Sequence, residues 1–96
     1  MSVNIQKVPM VRVTWLDARD TETGWLDIKE VINAPLAVCQ EVGWMITNTP
    51  EKVVIMRSYS KDKDDISGGG AIAIPKCWIT KTEYLEVSYA ETNQNK

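Results

Sequence analysis

The ten residues 70–79 constrain the fold of this chain more than any other stretch. Ile72 and Ile74 alternate with alanines, which is the period-two pattern of a short, half-buried strand. Pro75 then removes a backbone donor and ends the ladder. An apolar pattern resumes at Ile79. A strand, a proline, a tight turn and a second strand predict the closing segment of a small β-barrel.

The composition is that of one small globular domain. With 96 residues, 44% of them hydrophobic and 25% charged, the chain has room for a single core and is not expected to be disordered. It contains no apolar run near the roughly 20 residues that cross a bilayer, and no signal-peptide pattern at its start. We therefore expect a cytoplasmic protein with no membrane partner. The net charge of −2 argues against nucleic-acid binding, which depends on basic surface.

Two residue types limit the chemistry that is available. Histidine is absent, which removes the commonest general base near neutral pH and the commonest zinc ligand. Cys39 and Cys77 form either a disulfide or, as a cytoplasmic setting favours, two buried free thiols. No ordered triad of catalytic residues is present. We expect a protein that is not an enzyme and that holds no metal or cofactor.

Strict alternation predicts the first strand over residues 10–16. Val11, Val13 and Trp15 lie on one face, and the residues are β-branched or aromatic. The other face takes Met10, Arg12, Thr14 and Leu16. Residues 1–9 are polar and mixed, and we expect them to form an extended N-terminal arm.

A long excursion over residues 17–35 separates this strand from the next. Asp27 followed by Glu30 has the spacing of a capping box. Three aliphatic residues share one side of the helix that would follow: Ile28, Val31 and Ile32. We predict one or two helical turns, anchored to the domain by Trp25 and these three residues.

Apolar runs and their interruptions predict the middle strands. Residues 36–47 form one long strand bent at Gly43, because a glycine within a strand pattern marks a bulge or a bend. A turn containing Pro50 leads into a returning strand over 53–59, and residues 60–70 form a charged, glycine-rich loop.

Three regions follow from this pattern. Residues 1–9 are the N-terminal arm, residues 10–87 are the folded domain, and residues 88–96 are a polar, flexible C-terminal tail.

The order of strands resembles that of SH3-type small barrels. The segment from Ile74 to Ile79 is similar to the proline-containing turn before their last strand, and the excursion takes the place of their long first loop. The resemblance implies an all-β fold, a five-stranded SH3-like barrel with one short helix in the first long loop. The closely spaced tyrosines of peptide-binding SH3 domains are missing, which argues against recognition of proline-rich peptides.

A second resemblance, spread along the chain, is to small bacteriophage accessory proteins. The residues that carry it are Val13–Trp15 with Asp17, Gly24–Trp25, Glu30–Val31, Val42–Ile46 and Ile74–Lys76. It implies a phage protein made in the cytoplasm of the infected host cell. Some phage proteins of this size sequester nucleotide signals of host defence, so the resemblance implies host-defence evasion as a class of function, without assigning a ligand-binding residue.

Five residues are candidates for a ligand-binding site, and they are Trp25, Arg57, Ser58, Lys76 and Trp78. Arg57 and Lys76 would supply charge to an anion, and we expect both at one rim of the barrel. Trp25 and Trp78 flank a loop and a turn, where a tryptophan either anchors the local fold or binds a partner. Trp15 and Trp44 lie within strands and are expected in the core.

Two functions follow from these candidates. One is non-enzymatic sequestration of a small anionic, nucleotide-type ligand by a homo-oligomer, with Arg57 and Lys76 supplying charge and a tryptophan stacking on the ligand. The other is a protein-interaction module that blocks or recruits a host protein through Trp25, Trp78 and the acidic loop at 17–22. We expect self-association because a small barrel buries little area and exposes apolar edges.

Overall fold

A computed structural model describes residues 3–91 of the chain. The protein is predominantly β, which confirms the predicted all-β class. The elements in chain order are β1 (Met10–Asp17), α1 (Ile28–Ile32), β2 (Ala37–Asn48), β3 (Lys52–Met56), β4 (Ser58–Asp62), β5 (Asp65–Gly69), β6 (Ile72–Pro75) and β7 (Ile79–Tyr84). Single turns of 3₁₀ helix cover Ile5–Lys7 and Lys76–Trp78. The second of these is named the 76–78 turn.

The core lies on the face of the sheet toward which β1 points its valines. Val11, Val13 and Trp15 are all buried, as the alternation of β1 predicts. They cluster with buried side chains from three other strands, namely Met45, Val53, Ile55 and Ile74. Burial of aliphatic side chains of this size is worth about 1.5–3 kcal/mol each, so this cluster is the main source of stability.

The large sheet is antiparallel, with the strand order β6-β3-β2-β1-β7. The 76–78 turn joins its two edge strands directly, and because Pro75 and Ile79 are four residues apart, their Cα atoms lie within about 15 Å of each other. The sheet must therefore curl. Within residues 3–91 it does not close into the predicted five-stranded barrel. The reason is the register: β7 pairs with residues 11–15 of β1, whereas β6 pairs with β3, which lies beyond the start of β1 at Met10.

β2 is one continuous strand that serves both halves of the sheet, as predicted. It pairs with β1 as far as Trp44 and with β3 from Trp44 onward. Gly43 is buried at this crossing, where a Cβ atom would lie 2.5 Å from the carbonyl oxygen of Met56. The register shift lies between Met45 and Thr47. The close approach of two backbones, and not a bulge, is what requires glycine at position 43.

The charged, glycine-rich segment predicted over residues 60–70 is a two-stranded hairpin of β4 and β5 and not an irregular loop. Every residue of β4 is exposed, so the hairpin has no apolar pattern that could have revealed it. Its base is held by an edge-on contact between the rings of Trp44 and Tyr59, with centroids 5.1 Å apart. The Arg57 N–H also donates to the Gly69 carbonyl oxygen (3.1 Å). β3 accordingly ends at Met56 and does not continue to Tyr59.

In the structure the excursion covers residues 18–36, because β1 includes Asp17 and β2 begins at Ala37, and it projects from the sheet between these two strands. α1 begins after Asp27 as predicted, but the Asp27 side chain makes no capping hydrogen bond. The predicted anchoring is wrong: Trp25 is 103% exposed and no residue of α1 is buried. Apart from isolated contacts, α1 packs on no other element of the described chain. No helix within residues 3–91 is long and apolar enough to cross a membrane.

Both ends of the described chain meet the sheet at the start of β1. Ile5 is buried in the first 3₁₀ turn, so the N-terminal arm is not extended throughout. The Met45 N–H donates to the Pro9 carbonyl oxygen, and the Leu85 N–H to that of Met10 (2.9 Å each). The residues 1–2 of the predicted arm and 92–96 of the predicted tail lie outside the described residues.

Candidate functional site

An apolar cleft of about 400 Å³ lies where the 76–78 turn meets the end of β1 and the root of the excursion. Its lining residues are Leu16, Asp17, Ala18, Leu36, Cys77, Trp78 and Thr80, and it is named the Trp78 cleft. Leu16, Leu36 and Trp78 remain 38%, 56% and 42% exposed. The volume is within the usual range for binding sites, and the exposed walls leave apolar area for a partner to cover.

The 76–78 turn holds Trp78 in place. Pro75 ends β6, and the Lys76 N–H then donates to the Glu51 carbonyl oxygen (2.9 Å). The Ile79 N–H donates back to the Lys76 carbonyl oxygen and closes the turn. The turn contacts both β1 and β3, so Trp78 is mounted on a short segment tied to the sheet and not on a free loop.

The polar groups at the rim of the cleft are occupied within the chain. The Asp17 carboxylate accepts from the Trp15 indole N–H (3.3 Å) and from the Ala18 backbone N–H (2.7 Å). The Thr80 hydroxyl donates to the Thr14 carbonyl oxygen (3.3 Å). The cleft therefore presents mainly apolar surface to a partner.

Both cysteines are free thiols, as the sequence favours. Cys39 is half-buried, but Cys77 is exposed beside Trp78, so the expectation that both are buried is wrong for Cys77. The exposed Cys77 thiol at the wall of the cleft can be alkylated to test access to this site.

The five predicted site residues do not share one rim. Lys76 and Trp78 lie in the same turn, beside the start of β3, because Lys52 pairs with Pro75. Arg57 and Ser58 follow the other end of β3, and the strand from Lys52 to Met56 alone spans about 13 Å. Trp25 lies apart from both groups, fully exposed on the excursion.

The two predicted cations each have a partner of their own. The Arg57 guanidinium bonds the Glu41 carboxylate through Nε, and Lys76 Nζ donates to the Asn48 side-chain oxygen. Ser58 is exposed at the start of β4. Within residues 3–91, no group of three or more cysteine, aspartate or glutamate side chains is arranged to hold a metal ion. Within residues 3–91 the five predicted residues thus lie in three places: the 76–78 turn, the junction of β3 and β4, and the excursion.

The solvent-facing side of β2, β1 and β7 combines exposed aliphatic and basic side chains. Its members are Arg12, Thr14, Leu16, Val38, Gln40, Val42, Lys81 and Glu83, and they are named the outer sheet face. Leu16 pairs directly with Val38, and Arg12 with Val42. Val38 and Val42 are 70% and 49% exposed, which is high for valines in the middle of a sheet.

The ion pair between Arg12 and Glu83 on this face shifts the pKa values of both side chains. Arg12 donates to both carboxylate oxygens of Glu83, at 2.8 Å each. These hydrogen bonds lower the pKa of Glu83, and the positive charge of Arg12 lowers it further. The same contact raises the pKa of Arg12. The carboxylate is therefore held ionised, and the pair fixes β7 against β1 at the surface.

The sequence reasoning missed the aliphatic walls of the Trp78 cleft. A signal was present for Leu16, because the alternation of β1 places this large apolar residue on the face opposite the core, next to Arg12 and Thr14. For Leu36 and Cys77 no local signal exists. They reach the cleft only because the excursion and the 76–78 turn meet the end of β1 in space.

Comparison with known proteins gives no match: no family model, no curated protein and no solved structure is significantly similar to this chain. The geometry described above therefore carries the functional argument alone.

Proposed function

We propose that this chain is a non-enzymatic binding protein, and that the Trp78 cleft receives a protein segment with apolar side chains. The observation that carries the proposal is a half-exposed tryptophan, fixed on a short turn, at the wall of an apolar cleft. Tryptophan is among the residues most often responsible for binding energy at protein interfaces. Leu16 and Leu36 supply the apolar surroundings from which water is excluded.

The expected energetic role of Trp78 follows from its exposed area. A tryptophan side chain buries about 150–250 Å² when it is fully covered, and 42% of the residue is still open. Covering that area within a well-packed cleft is the situation in which truncation to alanine costs about 2 kcal/mol or more, which is roughly a 30-fold loss of affinity.

We also propose that the fold is related to the SH3-like small barrel and that the protein acts in the cytoplasm of a phage-infected cell. Support for the fold comes from the order β6-β3-β2-β1-β7 and from the single turn that joins its edges. Support for the phage setting is the resemblance carried by the dispersed sequence markers. In this proposal the partner in the cleft is a host protein.

Sequestration of a small anionic ligand stays a prediction of the sequence. Arg57 and Lys76 lie at opposite ends of β3, and each already bonds a neighbouring side chain. The apolar cleft favours the protein partner.

The test is capture of host proteins on immobilised wild-type chain and on the variant Trp78→Ala. We expect one stoichiometric host protein that survives a wash at 1 M salt, where the screening length is about 3 Å and exposed ion pairs contribute little. The variant should lose it. The matched control is Tyr89→Ala, because Tyr89 is 95% exposed and does not line the cleft.

Two outcomes would contradict the proposal. One is a partner that binds Trp78→Ala as tightly as the wild type. The other is a rise in melting temperature with a nucleotide in a ligand panel, together with no captured protein, since a bound ligand stabilises the native state by mass action. Alkylation of Cys77 gives an independent check, because a bulky adduct at the cleft wall should also block capture.

A further inference from the structure

The excursion has apolar side chains that nothing in its own copy covers. Trp25 is 103% exposed, and Ile28 and Ile32 are 65% and 73% exposed. Ile28 and Ile32 are four residues apart in α1 and therefore share one face of the helix. Fully solvated aromatic and aliphatic side chains that cluster on one segment mark an interaction surface.

The excursion also lacks internal support for its shape. α1 has only five residues, and isolated helices shorter than about 12–15 residues are marginal in water. Its N-cap residue Asp27 makes no side-chain hydrogen bond. A helix of this length is stable when its apolar face packs on something, and its own sheet does not provide the packing.

A surface that fits this segment exists on the same chain. The outer sheet face carries the exposed Val38 and Val42 and has two basic residues, Arg12 and Lys81, against one acidic residue, Glu83. The excursion has two basic and four acidic residues and a net charge of −2. Both surfaces thus expose aliphatic side chains, and their net charges are opposite in sign.

We propose that the excursion of one copy packs on the outer sheet face of a second copy, and that the second copy returns the same contact. Such an exchange is isologous and closes as a two-fold dimer. This contact is centred away from the Trp78 cleft, because Trp25, Ile28 and Ile32 do not line it, although Leu16 belongs both to the cleft and to the outer sheet face.

The accessible surface of the chain is large enough to include an interface with a second copy. The accessible surface is 8077 Å², whereas a compact monomer of 10.8 kDa exposes about 5,500 Å². At most about 1,100 Å² of the excess of roughly 2,500 Å² belongs to the seven residues outside the described range. The remainder exceeds the roughly 800 Å² that each partner contributes to a standard stable interface.

The reach of the excursion also suits an exchange between copies. It leaves the sheet at Asp17 and returns at Ala37, which are paired neighbours. Half of its length, roughly nine residues, extends up to about 30 Å from that root. The longest dimension of the molecule, 62 Å, shows a chain far more extended than its sheet requires.

The test is sedimentation equilibrium of the full chain, followed by complementation between two variants. The wild type should sediment at twice the 10.8 kDa chain mass. Trp25→Ser combined with Ile32→Ser removes the apolar contacts of the excursion, and Val38→Lys places a charge in the receiving face. Each variant alone should sediment as a single chain, with the dimer dissociation constant raised about tenfold or more.

Mixing the two variants should restore one of the two reciprocal contacts, because one variant supplies an intact outer sheet face and the other an intact excursion; the mixture should therefore associate more tightly than either variant alone, though less tightly than the wild type. Recovery on mixing also shows that neither variant is misfolded. Tyr89→Ser and Trp78→Ala should leave the mass of the dimer unchanged, which separates this contact from the binding function proposed for the cleft. A wild type that sediments as a single chain at 200 µM overturns the proposal, as does a mixture that associates no more tightly than either variant alone while the wild type dimerises.

Discussion

Replacement of Gly43 by alanine tests the account of how the sheet curls. Gly43 lies buried under the end of β3, where a Cβ would meet a side-chain carbon of Ile55 and lie 2.5 Å from the Met56 carbonyl oxygen. Contacts of a real Cβ below 3.0 Å are essentially never seen. The backbone of β3 must therefore move away from β2, and the ladder at Trp44 and Met56 must distort.

The magnitude follows from two opposing terms. Overpacking of this kind costs about 1–3 kcal/mol, while the loss of glycine from the unfolded chain returns about 0.4–1 kcal/mol. The net loss in the free energy of unfolding is about 1–2 kcal/mol, which lowers the melting temperature by roughly 5–15 °C for a domain of this size. Thermal unfolding followed by tryptophan fluorescence measures it, because Trp15 is 6% exposed in the native state.

The matched control is Gly69→Ala. The Cβ at this position would lie 2.8 Å from the Ser58 hydroxyl oxygen, a side-chain atom that can rotate away, and no backbone atom is crowded. We expect its melting temperature to stay within about 2–4 °C of the wild type, as for an ordinary surface substitution. All samples are compared at one protein concentration, because association stabilises the native state. Equal losses at positions 43 and 69 would refute the reasoning.

Three further predictions follow from burial, charge and thiol exposure. Ile74→Ala should cost about 2–5 kcal/mol in urea unfolding, because Ile74 is 1% exposed, whereas Ile28→Ala should stay within about 0.5 kcal/mol if single chains are compared at low concentration. The pKa of Glu83 is lowered in the folded state, so the contribution of its ionised form to stability is present above the ordinary pKa of 4.5 and is lost as the pH falls through the folded pKa. The difference in urea midpoint between the wild type and Glu83→Gln should therefore shrink below pH 4.5. Under native conditions a disulfide-exchange reagent should titrate Cys77 rapidly and Cys39 only slowly, and equal rates would contradict the structure.

The parts of the fold that the sequence predicts are those in which local pattern and burial coincide. β1 alternates strictly, and its valines and Trp15 form the core. Pro75 lies at the end of an edge strand, where its missing N–H leaves no ladder bond unmade, and this position is why the strand and the turn after it could be anticipated.

The positions of the predicted site residues relative to one another could not be predicted from local sequence, because they depend on how the strands pair. Antiparallel pairing places Pro75 opposite Lys52, which sends Lys76 to one end of β3 while Arg57 follows the other. Nothing in the residues around Arg57 or Lys76 encodes that register. The two strands β4 and β5 were not predicted as strands because most of their residues are exposed, and an exposed two-stranded hairpin has no hydrophobic face to produce a pattern.

The excursion shows why a helical pattern does not by itself reveal an anchor. The spacing of Ile28 and Ile32 correctly places both on one side of α1, but periodicity says which residues share a face and not what covers that face. The prediction from sequence assumed that the domain of the same chain covers this face. The structure leaves these residues and Trp25 in solvent, where they add nothing to the stability of one copy.

Large apolar side chains that do not stabilise their own copy require another reason to be where they are. Their exposure raises the risk of non-specific association, which a small, marginally stable domain is poorly placed to tolerate. That cost is offset only if a defined surface covers them. A second copy always has such a surface available in the outer sheet face, with apolar residues and opposite charge. The dimer contact and the Trp78 cleft are centred on different residues, since Trp78 is not among those that cover Trp25, Ile28 and Ile32, and Leu16 is common to the cleft and the outer sheet face.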